Sequence, residues 1–360
     1  MHHLHIFHGD PELGNGPLKE WPCSLDRAME LLKTWYDSDK PFFTKKDLRD
    51  VSNQLNRRYN TRRRSGAQNQ MISVKGLSGS KIFYKVTTGQ VLTGEVKNEE
   101  WVILEPKIRY FCYEQLTSSV KSEEIELVEA FFPVQIEHFA LVRATDTKLP
   151  VDAEYIENPV AVDETLQNTL KYWRKTSEWE KLKSLLKLVV THDITKIVGI
   201  ASGSMEFGPD DEDCTYRSAV QHSLLITIKE SLEENSETKT PCYVQDPRYT
   251  AVDEWALAQH GCEVLEDPKA FLEIDDDCIL FSCCPALPLK EITVDFARPA
   301  MLVWDRVADA PGHRCHNPDS DHVRDMIERE YDSHEFWDLH EVEPAPFKSH
   351  LVVYIRRQVE

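Results

Sequence analysis

The chain has 360 residues and nine cysteines, and its 62 acidic residues against 42 basic ones give a formal net charge of −20. It has no run of about 18 apolar residues, and its start lacks the charged-then-apolar layout of a signal peptide. We therefore expect a cytoplasmic protein that does not bind membranes. The odd cysteine number and the lack of Cys-x-x-Cys spacing argue against a disulfide framework and a zinc site.

The length exceeds what one hydrophobic core normally fills, so we expect more than one part. Residues 1–20 are predicted to be a flexible tail, because they are rich in His, Gly and Pro. Residues 21–150 are predicted to form a helical and β-rich extension with a basic segment. Residues 151–360 are predicted to form the main domain.

In the extension, Ser24 predicts the N-cap of a helix that runs to about Tyr36, and Thr44 that of a second helix. Between residues 45 and 64 this acidic chain carries eight basic residues against two acidic ones. Such a surplus is typical either of a phosphate-binding segment or of a solvated helix end and loop. Its arginines are Arg57, Arg58, Arg62, Arg63 and Arg64.

Short alternating runs at 81–86, 89–92 and 101–104 then predict strands. Residues 150–163 are interpreted as a linker, and a Leu and Trp stripe predicts one helix over 165–190. From there strand and helix patterns alternate, which predicts a Rossmann-like α/β fold: a mainly parallel sheet with helices on both faces. The predicted strands are 196–200, a strand from 242 that Pro247 stops, 262–265, 278–283, 300–304 and 350–356, with helices at 216–232, 251–260 and 321–331.

The central predicted strand ends in a small loop that bears two hydroxyl groups. Gly199 and Gly203 allow a sharp turn and a close approach to a ligand, and they bracket Ser202, with Ser204 following. Functional groups in open α/β sheets lie at the carboxyl ends of strands. The loop is therefore a candidate binding site, although a plain Gly/Ser turn has the same pattern.

Several motifs occur in a fixed order after this loop: residues 243–250 (YVQDPRYT), 261–268 (GCEVLEDP), 271–275 (FLEID) and 297–300 (ARPA). Together they resemble the sensitivity-to-red-light-reduced-like domain family. The earlier Trp35, Pro41–Thr44 and Lys46–Leu48 look like its fungal branch. Within that branch the chain is similar in size and layout to arginine-containing cyclodipeptide synthases, enzymes of secondary metabolism.

This resemblance implies that the partners are arginyl-tRNA and a second aminoacyl-tRNA, and that the product is a diketopiperazine. No cofactor and no metal are expected. Ser202 is the first candidate for acyl acceptor and Ser204 the second, since the loop resembles the serine-bearing turn of bacterial cyclodipeptide synthases. A turn or N-cap hydroxyl is the structural alternative. The five arginines would contact the tRNA backbone.

A guanidinium group binds best to paired carboxylates. Asp332 and Glu335 would lie on one face if the preceding helix continues, and the acidic run 210–213 is the alternative pair. One predicted strand end is framed by Tyr243, Asp246 and Tyr249. In a tRNA-binding protein these residues would hold the terminal adenosine, and the structural alternative is that they end the strand and cap a turn.

Three other functions start from the same pattern. An oxidoreductase or methyltransferase is disfavoured because the Gly-x-Gly-x-x-Gly fingerprint is absent. A non-catalytic regulatory or binding protein is the main alternative. A haem or metal role through His313–His316 is the third. The sequence predicts no oligomeric state.

Overall fold

The computed structural model describes residues 5–7, 12–13, 24–62, 70–94, 96–150, 158–189, 192–206, 212–234, 239–308, 316–337 and 346–358. The chain divides into two compact units, residues 1–154 and 155–360. We call them the N-terminal and the C-terminal unit.

In its described residues the N-terminal unit combines three helices with two antiparallel sheets. One sheet has the strand order β2-β4-β3, and the other has the order β1-β8-β6-β5 with β7 also paired to β8. The helices are α1 (Leu25–Tyr36), α2 (Lys45–Arg62) and α3 (Tyr113–Lys121), with a 3₁₀ turn at Leu127–Phe131. The strands are β1 (His5–Phe7), β2 (Glu12–Leu13), β3 (Gln70–Lys75), β4 (Lys81–Val86), β5 (Val91–Thr93), β6 (Glu99–Ile103), β7 (Lys107–Tyr110) and β8 (Val134–Ala144).

The predicted helical and β-rich extension is confirmed. The Ser24 hydroxyl accepts the Arg27 N–H at 3.3 Å and so caps α1, and Thr44 accepts the Asp47 N–H at 3.1 Å at the start of α2. Helix α3 was not predicted. The strands β1 and β2 lie within the stretch expected to be a tail, and their partners are more than 60 residues away in sequence, so no local pattern indicates them. The rest of residues 1–20 lies outside the described residues.

The C-terminal unit is built on one seven-stranded sheet with the order β11-β10-β9-β12-β13-β15-β14. The first five strands are parallel, β15 pairs antiparallel with β13, and β14 pairs antiparallel with β15, so β14 again runs in the direction of the first five. Its strands are β9 (Lys196–Ile200), β10 (Cys242–Gln245), β11 (Cys262–Val264), β12 (Cys278–Phe281), β13 (Met301–Asp305), β14 (Tyr331–Trp337) and β15 (Leu351–Arg356). Its helices are α4 (Pro159–Trp173), α5 (Ser177–Val189), α6 (Glu212–Glu233), α7 (Ala251–Gln259), α8 (Lys269–Glu273), α9 (Leu289–Phe296) and α10 (Asp321–Glu330).

This topology confirms the predicted Rossmann-like, mainly parallel sheet. The chain leaves β9 towards β10 and β11 on one side and later returns to β12 on the other. The strand order therefore reverses between β9 and β12, which is where open α/β sheets bind ligands at their carboxyl ends. Helix α6 packs in the core with residues 218–228 all buried, so it is covered on every side, and its buried positions include polar residues as well as apolar ones.

Three expected elements differ from the structure. The single helix over 165–190 is two helices, because the Thr176 hydroxyl accepts the Trp179 N–H and begins α5 anew. Helix α4 begins at Pro159, inside the segment expected to be a linker, and Asn158 caps it. The last helix ends at Glu330 and is followed directly by β14.

Candidate functional site

The candidate site lies at the carboxyl ends of β9 and β10. The loop 201–206 follows β9 and the segment 246–250 follows β10. Ala201 and Gly203 both have positive φ angles, +58° and +78°. A Cβ atom on Gly203 would lie 2.5 Å from the Ser218 Oγ of α6, so no larger residue fits without a shift.

The other glycine of the loop motif serves packing. A Cβ on Gly199 would lie 2.6 Å from Leu225 Cδ1 of α6 and 3.2 Å from Val244 Cγ1. Gly199 therefore lets α6 approach the centre of the sheet closely. We assign it no direct contact with a substrate.

Asp246 joins the two segments of the site. Its carboxylate accepts the Gly203 N–H at 2.8 Å through Oδ2 and the Arg248 N–H at 2.8 Å through Oδ1. Burial raises the pKa of this carboxyl group, although the two backbone N–H groups act in the opposite direction. Asp246 thus fixes the loop after β9 against the turn after β10.

Ser204 is held by a second buried carboxylate, that of Asp253 on α7. The Ser204 hydroxyl donates to Asp253 Oδ2 at 2.7 Å, and the Met205 N–H donates to Oδ1 at 2.7 Å. Asp253 also accepts the Thr250 N–H at 2.9 Å, and the Thr250 hydroxyl accepts the Asp253 N–H, which completes a capping box. Ser204 also accepts the Glu206 N–H at 2.9 Å, so its hydroxyl anchors the loop with both its proton and its oxygen.

Ser202 has a different environment, because its side chain is 0% exposed. Its hydroxyl makes no hydrogen bond of normal geometry with the described residues. It nevertheless lies close enough to the Tyr249 hydroxyl to favour the ionised form of that phenol. A buried hydroxyl without a firm partner calls for an explanation, and a functional role is one of those that apply.

Tyr249 is in turn hydrogen-bonded to His222, which is fully buried in α6. His222 Nδ1 lies 2.6 Å from the Ser218 carbonyl oxygen, which can only accept, so Nδ1 carries the imidazole proton. Nε2 is then the acceptor, and the Tyr249 hydroxyl donates to it at 2.8 Å. The lone pairs of the Tyr249 oxygen remain available to a donor such as Ser202.

Burial keeps these groups uncharged. It lowers the pKa of His222 to about 4 and raises the pKa of Tyr249 well above its ordinary value, with Asp246 and Asp253 adding to the rise. At neutral pH the imidazole is therefore neutral and the phenol is protonated. We call Ser202, Tyr249 and His222 the hydroxyl chain.

The predicted guanidinium site of Asp332 and Glu335 is wrong in its geometry. Both residues lie in β14, where positions three apart point to opposite faces of the sheet. Asp332 accepts from Arg357 Nε at 2.8 Å, and Glu335 pairs with Arg306. The helix could not continue through them because β14 pairs with β15 instead.

The remaining predicted residues stand apart from the hydroxyl chain. Tyr243 lies inside β10, paired in register with Val198, rather than at the strand end. Asp213, of the alternative acidic run, is exposed. For some predicted residues the structure describes no side chain, or does not describe the residue at all. These are Arg57, Arg58, Arg62, Arg63, Arg64, Asp210, Asp211, Glu212 and 313–315.

Two members of the site were not predicted. His222 lies between Gln221 and Ser223 in a helix that mixes polar and apolar residues, so the sequence carries no clear signal for its role. Asp253 stands three residues after Thr250, which is the spacing of a capping box.

Comparisons with known proteins place the C-terminal unit in a family. The SRR1 domain family model matches residues 163–343. Among solved structures, a putative O-methyltransferase from Klebsiella pneumoniae is similar over 56% of this chain and 92% of its own, with 11% identity and a TM-score of 0.31. A likeness this weak carries no argument about activity. The curated proteins contain no match to the chain.

Among the described residues, none of the helices has the length and apolarity that a membrane span requires. The family match covers half of the chain and includes six of the seven strands of the sheet, together with the loop after β9, the segment after β10 and His222. The chain belongs to the SRR1 domain family.

Proposed function

We propose that this chain is a tRNA-dependent cyclodipeptide synthase, which joins arginine from arginyl-tRNA to a residue from a second aminoacyl-tRNA. The observation that carries the proposal is the hydroxyl chain at the carboxyl end of the central strand. It offers a serine beside a hydrogen-bond acceptor, the Tyr249 oxygen, which can orient the hydroxyl for acyl transfer.

In the proposed reaction the Ser202 oxygen attacks the ester carbonyl of an aminoacyl-tRNA. A carbon–oxygen bond forms to Ser202, the ester bond to the ribose breaks, and the serine proton ends on the ribose oxygen. The amine of the second aminoacyl-tRNA then attacks the serine ester, and Ser202 recovers a proton. Attack of the free amine of the resulting dipeptidyl-tRNA on its own ester releases the diketopiperazine and tRNA.

Tyr249 and His222 act as positioning residues in this scheme. Because Tyr249 donates its proton to His222 Nε2, its oxygen is left to accept the Ser202 proton. This orients the lone pairs of Ser202 away from Tyr249. His222 holds the tyrosine rather than storing a proton, since burial disfavours the imidazolium.

Asp246 is the group we propose for the α-ammonium of the aminoacyl ester. Its carboxylate accepts the backbone N–H of Gly203, the residue next to Ser202. Each of its two oxygens accepts one backbone hydrogen bond, so each keeps a lone pair for a further donor. A cationic amine beside it would offset the cost of its burial. The arginine cluster at 57–64 would supply salt-sensitive contacts to the tRNA backbone.

The test is mass spectrometry of extracts from bacteria that express the chain, with a search for arginine-containing diketopiperazines. We expect product from the wild type, none from Ser202→Ala, and a loss of at least about tenfold from Tyr249→Phe, the scale of a lost positioning hydrogen bond. Ser223→Ala is the matched control. Ser223 is also a buried serine, but its hydroxyl only donates to the Ala219 carbonyl oxygen within α6.

One observation favours a second candidate, a non-catalytic binding or regulatory protein. Ser202 is completely buried and Ser204 is fully engaged, so in this conformation no substrate ester reaches either hydroxyl. This candidate predicts no diketopiperazine and unchanged properties in Ser202→Ala. If extracts with soluble wild-type protein and charged tRNA contained no diketopiperazine, the binding or regulatory function would be favoured over the synthase.

A further inference from the structure

Three potential metal ligands meet at the carboxyl ends of β12 and β13. Cys283 and Cys284 follow β12, and Asp305 is the last residue of β13. One ligand atom from each, two sulfurs and a carboxylate oxygen, lie within 4.8 Å of one another. No zinc site was predicted from the sequence, because the chain has no paired Cys-x-x-Cys spacing. These three ligands instead come from the ends of two neighbouring strands, so their spacing in the chain does not indicate the site.

The contacts within this cluster already resemble a coordination shell. The Cys284 thiol lies 3.5 Å from Asp305 Oδ1. Two ligands at zinc distances of about 2.3 Å for sulfur and about 2.1 Å for oxygen, at a tetrahedral angle, lie about 3.6 Å apart. A metal ion could therefore replace the proton between the two groups with little movement.

The carboxylate is held in place by groups around it. Asp305 is buried, and it accepts the Cys284 N–H at 3.2 Å and 3.1 Å through its two oxygens and the Ser349 hydroxyl through Oδ1. Hydrogen bonds of this kind orient carboxylate ligands in metal sites. Cys283 Sγ lies 3.9 Å from the same Ser349 hydroxyl.

The backbone makes the cluster reachable. Cys284 has a φ angle of +51°, a backbone conformation that residues other than glycine rarely adopt. Its neighbour Cys283 is buried. The two sulfurs lie within 4.8 Å of each other, and Cys284 is exposed to solvent. One position of a tetrahedral shell would thus face water.

We propose that Cys283, Cys284 and Asp305 form a metal site for a borderline-soft divalent cation such as Zn²⁺, with a fourth position open to water or another small ligand. Thiolate and carboxylate donors in tetrahedral arrangement favour this class of ion over Mg²⁺ or Ca²⁺, which prefer oxygen ligands at higher coordination numbers. The site does not depend on the proposed synthase reaction.

The test is a titration of the reduced full-length chain with Co²⁺, which gives a near-ultraviolet sulfur-to-metal charge-transfer band and intense visible bands when thiolates bind it tetrahedrally. We expect one equivalent of Co²⁺ to saturate these bands, and Zn²⁺ to abolish them. Cys284→Ser should lose most of the charge-transfer band, and Asp305→Asn should weaken binding by about tenfold or more. Cys214→Ser, on α6, is the control and should leave the titration unchanged.

The histidines at positions 2, 3 and 5 could also bind Co²⁺, but imidazole gives no sulfur charge-transfer band. A variant with those histidines replaced by alanine should therefore keep the band. The site would be refuted if the wild type gave no such band, or if Cys284→Ser kept it in full. As a second measurement, one equivalent of Zn²⁺ should slow the reaction of Cys284 with a thiol reagent in the wild type. An unchanged rate would also overturn the proposal.

Discussion

Gly203 shows how strongly a single position can constrain the loop after β9. It has a φ angle of +78°, and a Cβ there would meet Ser218 Oγ at 2.5 Å. We expect Gly203→Ala to lower the free energy of unfolding by roughly 2–4 kcal/mol, from backbone strain plus overpacking. Urea denaturation measures this loss.

Gly261 provides the matched control in the same unit. It also has a positive φ angle, +70°, but a Cβ there would only touch the flexible end of Lys229 at 3.4 Å. Gly261→Ala should therefore cost only about 1 kcal/mol, from the strain alone. Equal losses in the two variants would show that Ser218 does not restrict the loop.

His222 makes stability depend on pH. Burial lowers its folded pKa to about 4 from an ordinary value of 6.5. Between these values the unfolded chain binds a proton that the folded chain does not, so this contribution is present above pH 6.5 and is lost as pH falls towards 4. The loss is on the order of 3 kcal/mol.

The measurement compares the wild type with His222→Gln, whose amide can still accept from Tyr249. Asp246, whose raised pKa acts in the opposite direction, titrates in both proteins and cancels in the difference. We expect the wild type to lose more stability than the variant on acidification. Parallel stability curves for the two proteins would contradict a neutral, buried His222.

At this scale the sequence placed Ser202 in the loop after the central strand and Asp246 at the end of the next strand, but it did not predict that the Asp246 carboxylate binds the Ser202 loop. It ranked Ser202 above Ser204 on the resemblance of the loop alone and did not foresee how differently the two hydroxyl groups are held. That difference depends on Asp253, which reaches Ser204 from 49 residues away and leaves Ser202 without a firm partner. The failure of Asp332 and Glu335 has the same origin, since their partners Arg357 and Arg306 belong to distant segments.

The packing of α6 on β9 depends on the missing side chain of Gly199. A Cβ there would lie 2.6 Å from Leu225 Cδ1, so Gly199→Ala should cost about 1–3 kcal/mol through overpacking. Truncation of the obstructing side chain in Gly199→Ala/Leu225→Ala should relieve part of this cost. Urea denaturation of both single variants and the double variant measures the coupling.

The expected result is a double variant that is more stable than the sum of the two single losses predicts. Contacting residues normally show such coupling. Leu224→Ala is a matched control, because Leu224 is equally buried in α6 but does not appear among the atoms nearest to Gly199. Additive losses in the Leu225 pair would show that the strand and the helix do not meet as described.

Helices and strands with a clear pattern of apolar residues could be predicted from the sequence. Elements that form because of a partner distant in the chain could not. The apolar strands β9, β12 and β13 were located because every residue except Lys196 is buried, which leaves continuous β-branched and apolar runs. Strand β14 was missed because its outer positions are charged and it follows a helix without an interrupting residue. Helices α8 and α9 have only five and eight residues, too few for a clear helical period.

On the scale of the whole molecule, a chain with a net charge of −20 should bind RNA only where its basic residues cluster. We expect tRNA binding to weaken steeply between about 50 and 200 mM salt. Replacement of Arg62, Arg63 and Arg64 by Gln should weaken binding and reduce the salt dependence, because each lost phosphate contact lowers the slope by about 1. Filter binding or fluorescence anisotropy with tRNA measures both.

The control removes the same number of charges elsewhere. Lys171, Lys175 and Lys187 are exposed in the C-terminal unit, and their replacement by Gln makes the net charge equally more negative. We expect only a small general weakening from this change. If both triple variants behaved alike, the arginine cluster would not be the tRNA contact.

The strand order of the large sheet also constrains when it can form. Strand β15 is the last strand in chain order, yet it lies between β13 and β14 and pairs with both. During synthesis β13 and β14 therefore leave the ribosome before the strand that joins them, and their facing edges stay unpaired until residues 351–356 emerge. Nascent chains stalled before this point are the form of the protein most open to chaperone binding.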